Sequence, residues 1–170
     1  IREKGTNRSQ FFRGEVDKYG WMDIGSSFLP SDLIAAFLYG QLEKLDTIQN
    51  KRKLVWDMYY QGLKQIGKEG KVQIIAETKV KGNNGHLFYL ICASSDERAR
   101  LIKSLKEQNV MAVFHYLSLH KSPYYTPKHD GRKLPNADKY SDRLLRLPLF
   151  YDIKDEEVEF VIKNILEFYA

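Results

Sequence analysis

The chain has 170 residues, of which 43% are apolar and 29% charged, with a net charge of +5. This is enough for one domain with a real core, and the composition is ordinary for a soluble globular protein. Sparse glycine (11) and proline (5), beside 13% aromatic residues, exclude collagen-like, mucin-like and wholly disordered classes. Cys92 is the single cysteine, which excludes an internal disulfide framework and a four-cysteine zinc site. One thiol fits a reducing compartment, and the cytoplasm is the expected location. No stretch reaches the roughly 18 to 20 apolar residues of a membrane span. The opening, Ile1-Arg2-Glu3-Lys4-Gly5, has neither Met nor the apolar run of a signal peptide and suggests a fragment.

Residues 1–30 read as an extended or looped arm, with Gly5, Gly14, Gly20 and Gly25 among polar residues and no sustained period. Asn7, Arg8 and Arg13 offer contacts to an anion, with a solvated arm as the plain alternative. Asn7 and Arg8 are the candidate substrate-binding pair there. Ser26 and Ser27, just before a helix start, offer hydroxyls and backbone amides to a phosphate, or simply cap the helix. Composition alone leaves both readings open.

Pro30-Ser31-Asp32 opens a long amphipathic helix over 31–67, whose apolar residues Ile34, Leu38, Leu42, Leu45, Ile48, Val55, Met58 and Ile66 recur at three- to four-residue steps apart from gaps after Ile48 and Met58. A join between two nearly collinear helices falls near Gln49-Asn50, and Gly67 and Gly70 stop the pattern. The excess charge is local: residues 51–81 carry eight basic and three acidic groups. No aromatic residues interleave with Lys64, Lys68, Lys71, Lys79 and Lys81, so a solvated helix end suits this stretch better than a nucleic-acid surface.

Residues 68–170 read as a small α+β domain. A short strand is expected around Val72–Ile75, turn chemistry at Asn83-Asn84-Gly85, and a central strand over His86–Cys92. Ser94-Ser95-Asp96-Glu97 matches a capping box for a helix ending near Asn109. Val110–Phe114 reads as another strand, and residues 115–136 as a long loop with Pro123, Pro127, Gly131 and Pro135. A short helix at Ala137–Leu145 then leads to Arg146-Leu147-Pro148-Leu149, whose proline suits an edge strand. Val158, Val161, Ile162, Ile165, Leu166 and Tyr169 define the last helix, behind Asp155, Glu156 and Glu157. The fold class is α+β: a long helix plus a small antiparallel sheet of about three strands with helices on one face.

Four histidines are present, His86, His115, His120 and His129, and none has the spacing of a metal motif. His86 opens an apolar strand and reads as a hydrogen-bonded core residue. His115, Tyr116 and His120 lie where a strand feeds the long loop, a better place for substrate contact. Cys92, inside an apolar strand, reads as inert. The residues alone assemble no complete active site.

Four phrases together resemble the C-terminal half of the DegT/DnrJ/StrS sugar aminotransferases: EKGTNRSQFFRGEVDKYGW, DIGSSFLPSDLIAAFLYGQLEKLD, MAVFHYLSLHKSPYY and DRLLRLPLF. The resemblance implies the C-terminal domain of a fold-type I enzyme dependent on pyridoxal 5'-phosphate (PLP). The long helix would link to a large α/β domain carrying the Schiff-base lysine. None of the lysines here stands in that context, so no catalytic residue is assigned, and the chain alone is expected to be inactive. The family's Gly-x-Asn-x-Arg segment, which reaches across a homodimer to the partner's PLP phosphate, falls on Gly25, Ser27 and Leu29, with Ser for Asn and Leu for Arg. Ser26 and Ser27 are thus the candidate cofactor contacts. The family's His-Tyr…Leu-His segment near substrate falls on His115, Tyr116, Leu119 and His120. The implied reaction moves an amino group from glutamate to a 4-keto-6-deoxy nucleotide sugar, with neither nucleic acid nor membrane as partner. The competing readings are a small basic nucleic-acid binder and a dimerisation module without catalysis.

Overall fold

The computed structural model describes residues 5–25, 30–74 and 83–170. The chain divides into two units, Ile1–Leu45 and Asp46–Ala170.

In the first unit the arm closes on itself. Thr6 and Trp21 form an antiparallel bridge, and the Met22 and Asp23 amides donate to the Gly5 carbonyl at 2.7 and 3.1 Å. Gly5 sits at φ +73°, where a Cβ would stand 1.9 Å from the Asp23 carbonyl oxygen. Only glycine fits that approach. A five-residue helix, α1 (Arg8–Phe12), forms where the sequence shows no periodicity. Helix α2 (Asp32–Leu42) begins as expected: Ser31 Oγ accepts from the Ile34 amide, and Asp32 lies in the first turn. It stops at Leu42, and α3 (Leu45–Lys68) follows. The join therefore falls at Glu43-Lys44, not at Gln49-Asn50.

The second unit is built on α3, which buries Val55, Trp56, Tyr59, Leu63 and Ile66 on one stripe. Gly70 at φ +74° follows its end. Among the described residues the sheet has four strands, β1 (Gln73–Ile74), β2 (Tyr89–Ile91), β3 (Val113–Phe114) and β4 (Leu144–Arg146). Their order is β1-β2-β4-β3, and every pairing is antiparallel. The strand expected over His86–Cys92 is interior, as its apolar run requires, but it narrows to three residues. His86 lies outside it and is exposed, not in the core. Its Nδ1 lies 2.9 Å from Arg52 Nη2, and Arg52 Nε donates to the Gly85 carbonyl at 3.3 Å.

The last strand differs most from expectation. β4 lies between β2 and β3, so both of its flanks are paired. A proline without an N–H cannot sit inside such a strand. The strand accordingly ends at Arg146, and Pro148 follows it, with its carbonyl accepting from the Tyr59 hydroxyl at 2.9 Å. Leu90 pairs with Leu145 across the sheet, and both are fully buried.

Helix α4 (Ser95–Glu107) carries the expected cap: Ser94 Oγ accepts from the Glu97 amide. Asn109 closes it in the left-handed region at φ 59°. Helix α5 (Pro135–Arg143) begins two residues before the expected start, with Pro at its first position, and runs directly into β4. Helix α6 (Asp155–Phe168) buries Val158, Val161 and Ile165. Lys51 Nζ, 2.7 Å from Asp155 Oδ1, ties the start of α3 to the start of α6.

Candidate functional site

The segment after β3 is held at Phe114 by β4 and at Ser118 by α5, and Arg98 of α4 braces the end of α5. Arg146 of β4 donates through Nη2 to the Phe114 carbonyl at 3.3 Å, and Arg98 of α4 donates through Nη1 to the Ser141 carbonyl at 3.0 Å. The Ser118 amide donates to Ser141 Oγ at 3.1 Å in a buried contact, fastening the segment to α5. Two single 3-10 turns, Leu119–Lys121 and Thr126–Lys128, then fold it back on itself. Thr126 Oγ1 donates to the Ser122 carbonyl at 2.9 Å and to the His120 carbonyl at 3.3 Å. The long loop is therefore a fastened structure.

His115, Tyr116 and His120 all lie on this segment, in different surroundings. Tyr116 is 82% exposed, and its ring stands edge-on to that of His115 at 5.4 Å. His115 Nδ1 is buried without a hydrogen-bond partner among the described residues. A ring nitrogen in that position costs free energy until a donor or a water reaches it.

The His120 side chain is 13% exposed, with Nε2 3.1 Å from Asp138 Oδ1. Lys121 Nζ reaches the same oxygen at 2.8 Å. That ammonium holds the Asp138 carboxyl below the ordinary carboxylate range, and Asp138 in turn raises Lys121. The His129 ring lies 5.2 Å from that of His120, and His129 Nε2 donates to the Arg132 carbonyl at 3.0 Å. Nearby, Lys128 Nζ stands 3.4 Å over the Tyr124 ring. The segment thus gathers imidazoles, phenols and cations, which can meet hydroxyls, flat rings and phosphates.

In the first unit, Asn7 and Arg8 are engaged locally. Asn7 Oδ1 accepts from the Gly20 amide at 2.8 Å, and the Arg8 guanidinium lies 5.3 Å from the Phe12 ring centre and 5.8 Å from that of Tyr19. Ser26 and Ser27, the cofactor candidates, lie outside the described residues, as do Lys79 and Lys81 of the basic stretch. Among the described residues no group of three or more His, Cys, Asp or Glu side chains could hold a metal ion. No helix among them is long and apolar enough to cross a membrane.

Sequence reasoning missed Asp138, Ser118, Ser141 and the packing of His129 on His120. Asp138 lies 18 residues from His120 and reads in sequence as an ordinary acid in a first helical turn. Only the fold-back of the loop brings the two together.

Comparison with known proteins places the chain. It is 24% identical to GDP-perosamine synthase of Escherichia coli O157:H7 over 168 residues, covering 96% of this chain and 44% of that protein. The fold matches that of Helicobacter pylori PseC, an aminotransferase involved in the biosynthesis of pseudoaminic acid. The TM-score is 0.81 at 18% identity, with coverage of 99% of this chain and 44% of that one. It also matches the PLP form of Spr1654 from Streptococcus pneumoniae, with a TM-score of 0.78 at 20% identity, covering 97% and 40%. The chain spans less than half the length of these relatives. A profile of one family covers residues 1–166. The chain belongs to the DegT/DnrJ/EryC1/StrS aminotransferase family.

Proposed function

We propose that the chain is the C-terminal part of a PLP-dependent sugar aminotransferase that moves an amino group from glutamate to the 4-keto carbon of a 6-deoxy nucleotide sugar. Within the family the reading is nearest to dTDP-4-amino-4,6-dideoxygalactose transaminase, a cytoplasmic homodimer feeding cell-surface polysaccharide or lipopolysaccharide synthesis. Residues 1–30 serve as an active-site arm, 31–67 as the link to a large domain, and 68–170 as the small domain. Family membership supports the reaction class. The observation that carries the sugar assignment is the fastened segment after β3, which holds His120 beside Asp138 and Lys121 and exposes Tyr116.

PLP supplies an electron sink and carries the amino group between donor and acceptor. The donor chemistry of this chain fits its phosphate: Ser26 and Ser27 offer two hydroxyls just ahead of α2, whose own Ser31 cap already serves the Ile34 amide. In the dimer these serines would hold the phosphate of the opposite subunit. Tyr116 offers a face for a base or sugar ring, and the cations of the segment suit the diphosphate. His120 meets a sugar hydroxyl close to the reacting carbon. Asn7 and Arg8 of the arm are separate candidates for a substrate contact.

In the complete enzyme the two half-reactions separate these roles. His120→Ala is expected to slow the nucleotide-sugar half-reaction about 10- to 100-fold, the scale of one or two lost polar contacts. The glutamate half-reaction should stay within about twofold, followed by cofactor absorbance in single turnovers. Equal loss in both halves would assign His120 to the cofactor or to folding. No loss in either would remove it from the site.

A further inference from the structure

Away from the segment after β3, two connections and the start of α6 line an apolar cavity of about 430 Å³. One wall is the α4–β3 connection, where Val110 is buried and Met111 stands exposed at the rim. A second is the β4–α6 connection, which supplies Pro148, Phe150 and Ile153. The third is the opening of α6, where Glu156 with Phe160 and Glu157 with Val161 follow four residues apart along one face. Val110, Ile153 and Val161 are buried beneath the exposed Met111, Phe150 and Phe160. These walls are fastened by the protein itself. The Val110 amide donates to the Leu105 carbonyl at 2.9 Å, and the Tyr59 hydroxyl donates to the Pro148 carbonyl at 2.9 Å. The Ile153 amide closes the third contact, on the Phe150 carbonyl at 3.4 Å.

The charge on this cavity has one sign. Glu156 and Glu157 line it beside the neutral amides of Gln108 and Asn109, and no cationic side chain does. Glu157 is partly engaged, since its Oε2 accepts from the Lys154 amide at 2.8 Å. Glu156 is exposed and has no hydrogen-bond or ion-pair partner among the described residues. A helix start favours acids in itself, but that does not account for the apolar hollow beside them. Apolar walls with a few convergent polar groups, at a volume of roughly 300–1,000 Å³, are the ordinary make-up of a small-molecule site. We propose that this cavity binds a small apolar amine. The apolar part of the ligand lies on Val110, Ile153 and Val161, and its ammonium meets the Glu156 carboxylate. The two carboxylates repel an anion of the same shape, and the aromatic rim suits a cation. The site does not depend on the sugar-aminotransferase reading. It shares no lining residue with the segment that carries His115, Tyr116 and His120.

The test uses the complete enzyme, labelled with 13C at the methionine methyl groups, and three probes of one shape: phenylpropylamine, phenylpropanol and phenylpropanoate. Met111→Leu identifies the Met111 signal by its loss. At neutral pH the amine should move that signal to a saturable limit at roughly millimolar concentration. The alcohol should bind about threefold to tenfold more weakly, and the carboxylate more weakly again. Glu156→Gln should bring the amine down to the affinity of the alcohol and leave the alcohol's own affinity unchanged. That split separates a lost charge contact from a general loss of folding. Absence of a saturable Met111 shift with the amine, as when the rest of the enzyme or a second copy covers the cavity, overturns the site. Equal affinity for amine and alcohol, or an amine affinity unchanged in Glu156→Gln, overturns the recognition of a cation.

Discussion

Cys92 shows how one residue's chemistry is set by what surrounds it. The thiol is buried in the core beside the Tyr169 hydroxyl, 3.9 Å from Sγ, and Tyr169 donates at 2.6 Å to Glu97 Oε1. Burial pushes the Cys92 thiol from its ordinary 9.0 up to about 11. The thiolate is the nucleophile, so little of it exists at neutral pH. Iodoacetamide at pH 8 is expected to label the native protein at least about tenfold more slowly than the urea-unfolded chain, read by mass spectrometry. The same shift gives a sign for stability. A raised pKa means the folded state holds its proton more tightly, so this contribution is intact below pH 9.0 and is lost as pH rises toward about 11. Equal labelling of the native and unfolded protein would contradict both statements.

Single elements are held by the sheet's interior pairs more than by their own length. Leu145 is fully buried in β4, paired with Leu90 on one side and Phe114 on the other. Leu145→Ala would leave a cavity where three strands meet and is expected to cost about 2–5 kcal/mol in urea unfolding. A cost below about 1 kcal/mol would mean that the sheet closes around the gap. The starts of α2, α4 and α6 were legible in sequence because capping is local. Ser31, Ser94 and the acids at 155–157 sit where expected. So does the turn at 83–85, where Asn83 Oδ1 accepts from the Gly85 amide at 3.0 Å. Strand order was not legible, since nothing between residues 144 and 149 tells which neighbours will flank them. Proline at 148 marked an edge on paper, yet it marks an end in the structure. The candidate site divided the same way. The sequence pattern showed a strand delivering His115 and Tyr116 into a loop, whereas the partnership of His120 with Asp138 depends on a fold-back that no periodicity records.

Taken as a whole, the molecule carries much apolar surface outside its core. In α2 alone, Leu33, Ile34, Phe37, Leu38, Tyr39 and Leu42 are all exposed. A helix apolar on every side belongs in an interior, and the family relatives are more than twice as long as this chain. Both observations support the reading of a part that completes itself against other protein. If the Schiff-base lysine belongs to the rest of such an enzyme, this chain alone should not hold PLP covalently. Mixed with PLP, reduced with borohydride and digested, the 170-residue chain is expected to show no stoichiometric adduct on any one lysine. A single fully labelled lysine would return the catalytic function to this chain. The order β1-β2-β4-β3 also has a bearing on how the protein is made. β3 has no neighbour until residues 144–146 exist, because the strand that joins it to β2 is the last of the four in the chain. During synthesis the residues ahead of β4 can form helices and the β1–β2 pair, but β3 must wait. The sheet closes only once β4 has emerged from the ribosome. Any truncation before β4 would therefore leave β3 as an unpaired apolar edge, a start for aggregation.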